Sequence, residues 1–333
     1  MQTATHTPRR LGANGPEVYP LALGGMGMSR MYGPADDQES LATLHAAIER
    51  GITLIDTGDF YGSGHNEALI GRALAARRNR VLLSVKFGAL RDPSGGWTGV
   101  DNRPVAIRNY LAYSLQRLGV DHVDIYRPAR LDPAVPIEDV AGTIGDLVKA
   151  GYVRYFGLSE VGAETIRRAH AVHPVADLQI EYSLVSRRPE RRILPALREL
   201  GIGVTAYGAL SRGLLSGSKP AGPTDFRAYL PRFTGENAAR NQRIVESLAA
   251  LARARGVTPS QLAIAWVLSR GADIVPVVGA RTRRQLDDAL GSLDLRLAPE
   301  DLAAIEAAVP EGAAAGTRYD AYQMGVLDSE KAA

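Results

Sequence analysis

Two apolar spacings take turns along this chain. Short apolar runs at 53–56 and 81–86 read as buried β-strands, and the stretches after them repeat apolar residues every three or four positions, as helices do. Leu41, Leu44 and Ile48 mark a helix over 39–49 closed by Gly51; Leu69, Ile70, Ala73 and Leu74 mark one over 66–76. Pro104 stands at a first helical position, and Ile107, Tyr110, Leu111, Leu115 and Leu118 form one face before Gly119 stops the helix. The alternation continues with strands at 122–126, 153–158, 176–180, 202–206 and 274–278, and helices at 137–149, 161–170, 190–200, 237–255, 259–270 and 283–290.

Three segments depart from this rhythm. Residues 9–25 read as a hairpin turning at Asn14-Gly15, with 18–23 leading into the first barrel strand and Gly24-Gly25 ending it. The Gly- and Pro-containing stretch 211–235 predicts an excursion over the strand ends, either a lid or a plain surface loop. After an extra helix at 299–309, the polar tail 310–333 carries Tyr319, Tyr322 and Met324; its aromatic part can fold back over a pocket, and its last ten residues are expected to fray. The stretch 88–103 reads as loop.

Eight strand-helix units with no compositional break predict one α/β domain over 1–333. The expected architecture is a (β/α)8 TIM barrel with an N-terminal hairpin and a C-terminal extra helix and tail. An open doubly wound sheet is the alternative, but Gly24-Gly25-Met26-Gly27 lacks the G-x-G-x-x-G spacing and reads as a turn.

Composition narrows the function. With 45% apolar and 23% charged residues the chain has material for a core, and a net charge of +3 with dispersed Arg argues against nucleic acid. Without cysteine there are no disulfides, thiolate metal sites or thiol nucleophiles, and no metal site is expected. The polar start and the shortness of the apolar run at 262–268 predict a soluble cytoplasmic protein without membrane contact, a monomer or small homo-oligomer.

In a barrel, residues at the C-terminal strand ends carry the chemistry. Asp56, Lys86, Tyr126, Ser159, Gln179 and Tyr207 fall there, with Tyr61 in the loop after Asp56. A Tyr beside a Lys anchored by an Asp can give a proton to a carbonyl oxygen, because the ammonium favours phenolate and draws the phenol pKa down from about 10. The hydride must then come from a cofactor.

The segment Asp56-Thr57-Gly58-Asp59-Phe60-Tyr61-Gly62-Ser63-Gly64-His65-Asn66-Glu67 resembles the aldo-keto reductase signature D-T-A-x-x-Y-G-x-G-x-N-E. Further blocks resemble the family in order: Lys86 in its strand, Val135-Pro136-Ile137-Glu138-Asp139, Gly157-Leu158-Ser159, Gln179-Ile180-Glu181-Tyr182-Ser183, Ala206-Tyr207 and Val277-Val278-Gly279-Ala280-Arg281. The resemblance implies an NAD(P)H-dependent (β/α)8 barrel that reduces a small-molecule carbonyl. It implies Tyr61 as proton donor, Lys86 lowering its pKa, and Asp56 pairing with Lys86. It places Ser159 and Gln179 on the nicotinamide carboxamide and Tyr207 against its ring. Leu210, Arg212 and Gly213 match the pyrophosphate loop, and Gly279, Arg281 and Gln285 the adenosine-phosphate region. Arg281 beside Arg283 and Arg284 suits a 2′-phosphate and hence NADPH; the other reading is an exposed Arg-rich helix start. Asp288-Ala289 departs from the Glu-Asn with which the family usually holds adenine.

A larger departure lies at Tyr126-Arg127-Pro128-Ala129-Arg130-Leu131-Asp132, where the family pattern Y-Y-L-H-R-x-D has a catalytic His and this chain has Ala129. Of the histidines, only His65 approaches the expected site, and a helix-capping role suits it better. Tyr61 and Lys86 can carry proton transfer with water or Arg127 orienting the carbonyl, and the space at Ala129 can admit a bulkier substrate. The variant resembles a branch that includes pyridoxal reductases, so pyridoxal is one candidate substrate and a bulky cyclic natural-product or toxin ketone the other. Met28, Tyr32, Trp97, Arg127, Ala129 and the 211–235 stretch are the candidate substrate contacts. The competing functions are a cofactor-binding redox-sensing regulatory protein and an isomerase or lyase on the same barrel.

Overall fold

A computed structural model describes residues 6–331. Its strands are β1 (Ala22–Gly24), β2 (Leu54–Gly58), β3 (Leu82–Phe87), β4 (Val123–Pro128), β5 (Val153–Ser159), β6 (Val175–Glu181), β7 (Gly203–Tyr207) and β8 (Ile274–Gly279). They close, all parallel, into a barrel in chain order, with β8 returning to pair with β1. The predicted TIM barrel is therefore present. The helices around it include α1 (Asp37–Glu49), α2 (His65–Leu74), α3 (Pro104–Leu118), α4 (Ile137–Lys149), α5 (Ala163–Val172) and α6 (Pro189–Glu199). Gly235–Ala254 and Pro259–Ser269 follow β7, Arg283–Leu290 follows β8, and Pro299–Ala308 is the extra helix.

The N-terminal hairpin pairs Arg9–Arg10 with Glu17–Val18 and seals the bottom of the barrel. Leu11 and Val18 are buried there against Leu54, Ile125 and Val275. The barrel strand starts separately, at Ala22.

Because side chains alternate across a strand, every second residue enters the barrel. Along β6 these are Asp177, Gln179 and Glu181, above a floor that includes Leu54, Ile125 and Val275, so the interior turns from apolar at the bottom to polar at the mouth. The site is built on that gradient.

Two elements were not expected. Ala89–Arg91 pairs antiparallel with Trp97–Val100 where a loop is predicted. These strands are too short and too rich in Gly and Arg to show alternation, and their turn is held by Asp92, whose carboxylate accepts from the Gly96 amide at 2.8 Å. The tail also does not fray over its described part. It forms a short helix at Ala321–Val326, and Asp328 accepts hydrogen bonds from the Gly162 amide and the Thr165 hydroxyl at 2.9 and 2.7 Å. Residues 332–333 lie outside the described part.

Candidate active site

Register explains the first cluster. Lys86 on β3 pairs with Gly58 on β2, and Ser84 with Asp56, so both pairs point inward at successive levels. Lys86 reaches back one level to form an ion pair with the Asp56 Oδ2. Asp56 Oδ1 accepts from the Ser84 hydroxyl at 2.7 Å and from the Gln179 amide at 2.8 Å. Burial lowers the Lys86 pKa, Asp56 opposes that, and Arg127 below adds to it.

Tyr61 lies over this cluster, with the Lys86 Nζ 5.2 Å from its ring centroid and only 6% of its surface exposed. The sequence reading expected Lys86 to draw the phenol pKa down. Instead burial pushes it well above the ordinary value, with Asp56 adding to the rise and Arg130 opposing it. The Lys86 charge is already neutralised by Asp56. A phenol with a raised pKa stays protonated at neutral pH but is a weaker acid, so it would give its proton only to an oxygen that has already gained charge.

Arg127 is not at the mouth. Its guanidinium crosses the barrel one level below Asp56 and donates to Asp177 (3.0 Å), Thr205 (3.1 Å) and Ser84 (3.0 Å). A Cβ at Gly157 would stand 2.8 Å from Asp177 Oδ1 and 3.2 Å from the Arg127 Cζ, so a glycine there gives the guanidinium room. Ala129 is 1% exposed and does not line the cavity either; its amide donates to the Phe87 carbonyl at 2.8 Å. No bulky substrate gains space there. Met28 is likewise core.

A cavity of about 340 Å³ opens above Asp56, Tyr61 and Lys86, the size expected of a ligand site. Phe60, Trp97, Tyr32 and Tyr319 give it aromatic walls. Trp97 meets Phe60 edge to face at 6.5 Å, and the Arg91 guanidinium lies 5.8 Å from the Phe60 ring and 6.0 Å from that of Trp97. The unexpected hairpin is thus part of the wall.

The roof comes from the C-terminal tail. Arg318 forms an ion pair with buried Glu160 just after β5, and Ser329 donates to the same carboxylate at 2.6 Å. Burial alone would raise the Glu160 pKa, but the Arg318 guanidinium holds it well below the usual carboxylate range. This latch sets Tyr319 over the mouth, its hydroxyl 3.1 Å from that of Tyr207 and 3.1 Å from the Arg130 Nη2. Arg212, ion-paired with Glu181 at 2.9 Å, lies 4.4 Å above the Tyr319 ring. Burial would raise the Tyr319 pKa, yet the Arg212 and Arg130 charges hold it below its ordinary value. The expectation that the aromatic tail covers a pocket holds for Tyr319, whereas Tyr322 is 67% exposed.

From the mouth a groove runs past Ser159, Gln179 and Tyr207 to Leu210, Arg212 and Gly213, and on to Gly279, Arg281 and Gln285, all of which line the same cavity. Ser211, Arg212 and Gly213 have φ of 46°, 57° and 90°. Two consecutive non-glycine residues in the left-handed region cost about 1–3 kcal/mol each, and such strain gathers at ligand sites. The 211–235 stretch folds toward the first strand's loop, its Phe226 amide donating to the Met31 carbonyl at 3.2 Å. Arg281 spans the groove's rim, donating through Nη1 to the carbonyls of Tyr32 and Pro34, both at 2.9 Å. Arg283 is taken up by Glu39 at 2.9 Å, so the basic cluster is smaller than its sequence suggests. His65 is held by Ser29 (3.0 Å) and Asp37 (3.1 Å) at the start of α2, away from the cavity.

Sequence reasoning missed Arg91, Arg130, Glu160 and Arg318. Among the described residues no group of acidic or His side chains could hold a metal, and no helix is long and apolar enough to cross a membrane.

Comparison with known proteins agrees with this geometry. The chain is 40% identical over 326 residues to probable aldo-keto reductase 1 of Glycine max, covering 96% of this chain and 93% of that protein. Its fold matches the glycerol dehydrogenase AKR11B4 of Gluconobacter oxydans with a TM-score of 0.81 and 29% identity, over 90% of this chain and 94% of that one. It also matches the aldo-keto reductase AKR11C1 of Bacillus halodurans in its holo form, with a TM-score of 0.76 and 25% identity, over 92% and 97%. The sequence model of the Aldo/keto reductase family matches residues 20–310, nearly the whole barrel, and with a closed eight-stranded barrel carrying Asp, Tyr and Lys at one mouth, the chain belongs to that family of nicotinamide-dependent oxidoreductases.

Proposed function

We propose that this protein reduces an aldehyde or ketone to the alcohol with NADPH, with Tyr61 giving the proton to the carbonyl oxygen. The observation that carries the reading is the buried Asp56–Lys86 pair under the Tyr61 phenol, at the closed end of an aromatic-walled cavity. Bound nicotinamide supplies the hydride that the side chains lack. Ser159 and the Gln179 amide offer polar groups for its carboxamide, and Tyr207 a ring face. The strained turn at 211–213 borders the groove, through Arg212 and Gly213, where a pyrophosphate would lie, and Arg281 keeps its Nε and Nη2 donors for a 2′-phosphate. The residues therefore fit a dinucleotide.

The walls of Phe60, Trp97 and Tyr319 favour a flat ring beside the carbonyl. Pyridoxal and polycyclic ketones both meet that demand. Following cofactor absorbance with NADPH and a panel of aldehydes and ketones, pyridoxal included, should show turnover of ring-bearing carbonyls. Tight NADPH binding without turnover on any of them would instead support a regulatory role. NADPH should bind more tightly than NADH, and Arg281→Ala should weaken NADPH by about tenfold while hardly moving NADH, measured by fluorescence titration.

A further inference from the structure

We propose that Arg130 is a further catalytic residue, whose guanidinium donates to the substrate's carbonyl oxygen alongside Tyr61 and does the work of an imidazole at position 129. The inference rests on the reductase reading above. Ala129 has no side chain that can reach the cavity, and Arg127, the other cation of the segment, is committed to Asp177 inside the barrel. Arg130 instead folds over Ala129, donating to that residue's carbonyl from Nη1 at 2.6 Å, and lines the cavity with Tyr61 and Lys86. Among the described residues it has no carboxylate within ion-pairing distance, so its charge is free to act on what enters. That charge already acts on its neighbours, opposing the rise of the Tyr61 pKa and adding to the fall of that of Lys86.

The tail fixes this guanidinium in place, and the direction of each hydrogen bond can be worked out. Glu160 is ionised and only accepts, so the Tyr207 hydroxyl donates to it at 2.7 Å. The Tyr207 oxygen also accepts from Arg318 at 3.2 Å. With its own proton spent on Glu160, Tyr207 must accept from Tyr319 across the 3.1 Å contact. The Tyr319 oxygen is then left to accept from the Arg130 Nη2 at 3.1 Å. Tyr319 is a positioning residue, holding one Arg130 nitrogen so that the Nε and the remaining N–H groups can face the substrate. During reduction, hydride adds to the carbonyl carbon and the C=O π pair moves onto oxygen. Tyr61 delivers its proton there, while Arg130 keeps all of its own, stabilising the developing alkoxide by charge alone.

A guanidinium does not titrate near neutrality, which separates it from an imidazole. The wild-type pH profile should therefore show no inflection near the ordinary His pKa of about 6.5. Arg130→Ala and the volume-keeping Arg130→Met should lower kcat about 100-fold with unchanged NADPH affinity, the loss of one preorganised donor. Arg130→Lys should recover part of this, added guanidinium ion should partly rescue Arg130→Ala, and Tyr319→Phe should give a smaller loss of kcat. Ala129→His in the Arg130→Ala background should restore rate together with the missing pH inflection. Benzoate, whose carboxylate mimics the charged oxygen, should bind the NADP+ complex at least tenfold more weakly in Arg130→Ala. Wild-type turnover that survives Arg130→Ala with benzoate affinity intact would overturn the proposal while leaving the reductase reading standing. Arg130-dependent benzoate binding in a protein that reduces no carbonyl would instead overturn the reductase reading and with it the catalytic role, leaving Arg130 as an anion-binding group.

Discussion

Beneath the cavity, Asp56, Lys86, Gln179 and Arg127 hang from strands whose register is fixed by neighbours on both sides. Above it, Arg130, Arg212, Tyr319 and Arg318 hang from loops and a C-terminal tail, joined by hydrogen bonds between segments far apart in sequence. Both regions bury charge, but they stake it on different structure. A charge pair on paired strands is lost only when the barrel opens, whereas one between a loop and a tail can be lost by local undocking. In the proposed reductase, the Asp56–Lys86 pair would draw on the first kind of support, and the Arg130–Tyr319 contact on the second.

Substitutions can break that contrast. Arg127→Met should cost the most stability, about 3–5 kcal/mol, because it leaves the buried Asp177 carboxyl group inside the barrel without its cationic partner. Denaturant unfolding would measure it, and a loss under 1 kcal/mol would mean the floor is softer than its register implies. Arg318→Ala should cost about 1–3 kcal/mol at most, chiefly as local opening. Hydrogen exchange should quicken over residues 319–331 while the barrel strands keep their protection, and kcat/KM should fall about tenfold as Tyr319 is released. If exchange quickened throughout instead, roof and floor would be one cooperative unit. The latch should also resist acid. The Glu160 folded pKa is depressed, so its stabilisation is present above the ordinary carboxylate range and is lost only as pH falls through the lower folded value. The tail should accordingly remain docked at about pH 4.

The smallest effect is expected at Asp59, between the two regions, where one carboxylate oxygen is buried without a partner. Burial, with Glu67 nearby, pushes its pKa up to about 7. A raised folded pKa means that the folded state holds the proton more tightly, so this group's contribution to stability falls as pH rises from its unfolded value of 3.8 through 7. Asp59→Asn should flatten that slope, raising Tm by about 2 °C at pH 8, by less at pH 5 and hardly at all below about pH 4.

The same contrast explains what the sequence could and could not disclose. Asp56, Tyr61 and Lys86 were legible because each marks the end of an apolar strand or the loop just after it. Arg127 was misplaced at the mouth although the signal was present: it shares the inward face of its strand with Ile125, two residues before, and alternation alone puts it inside the barrel. Arg130 had no such signal, since it lies past the strand end where no periodicity directs a side chain. Tyr319 and Arg318 sit in a tail without apolar rhythm, and their placement depends on Glu160, a partner more than a hundred residues earlier. The hairpin carrying Trp97 was hidden by its shortness.

Single-turnover reduction of a ring-bearing aldehyde by wild type and Tyr61→Phe, each saturated with NADPH, decides whether Tyr61 protonates the carbonyl oxygen as NADPH gives hydride. The phenylalanine variant should lose about 1,000-fold or more in rate, with NADPH affinity within about twofold of wild type. Turnover by Tyr61→Phe at the wild-type rate would rule out Tyr61 as the proton donor.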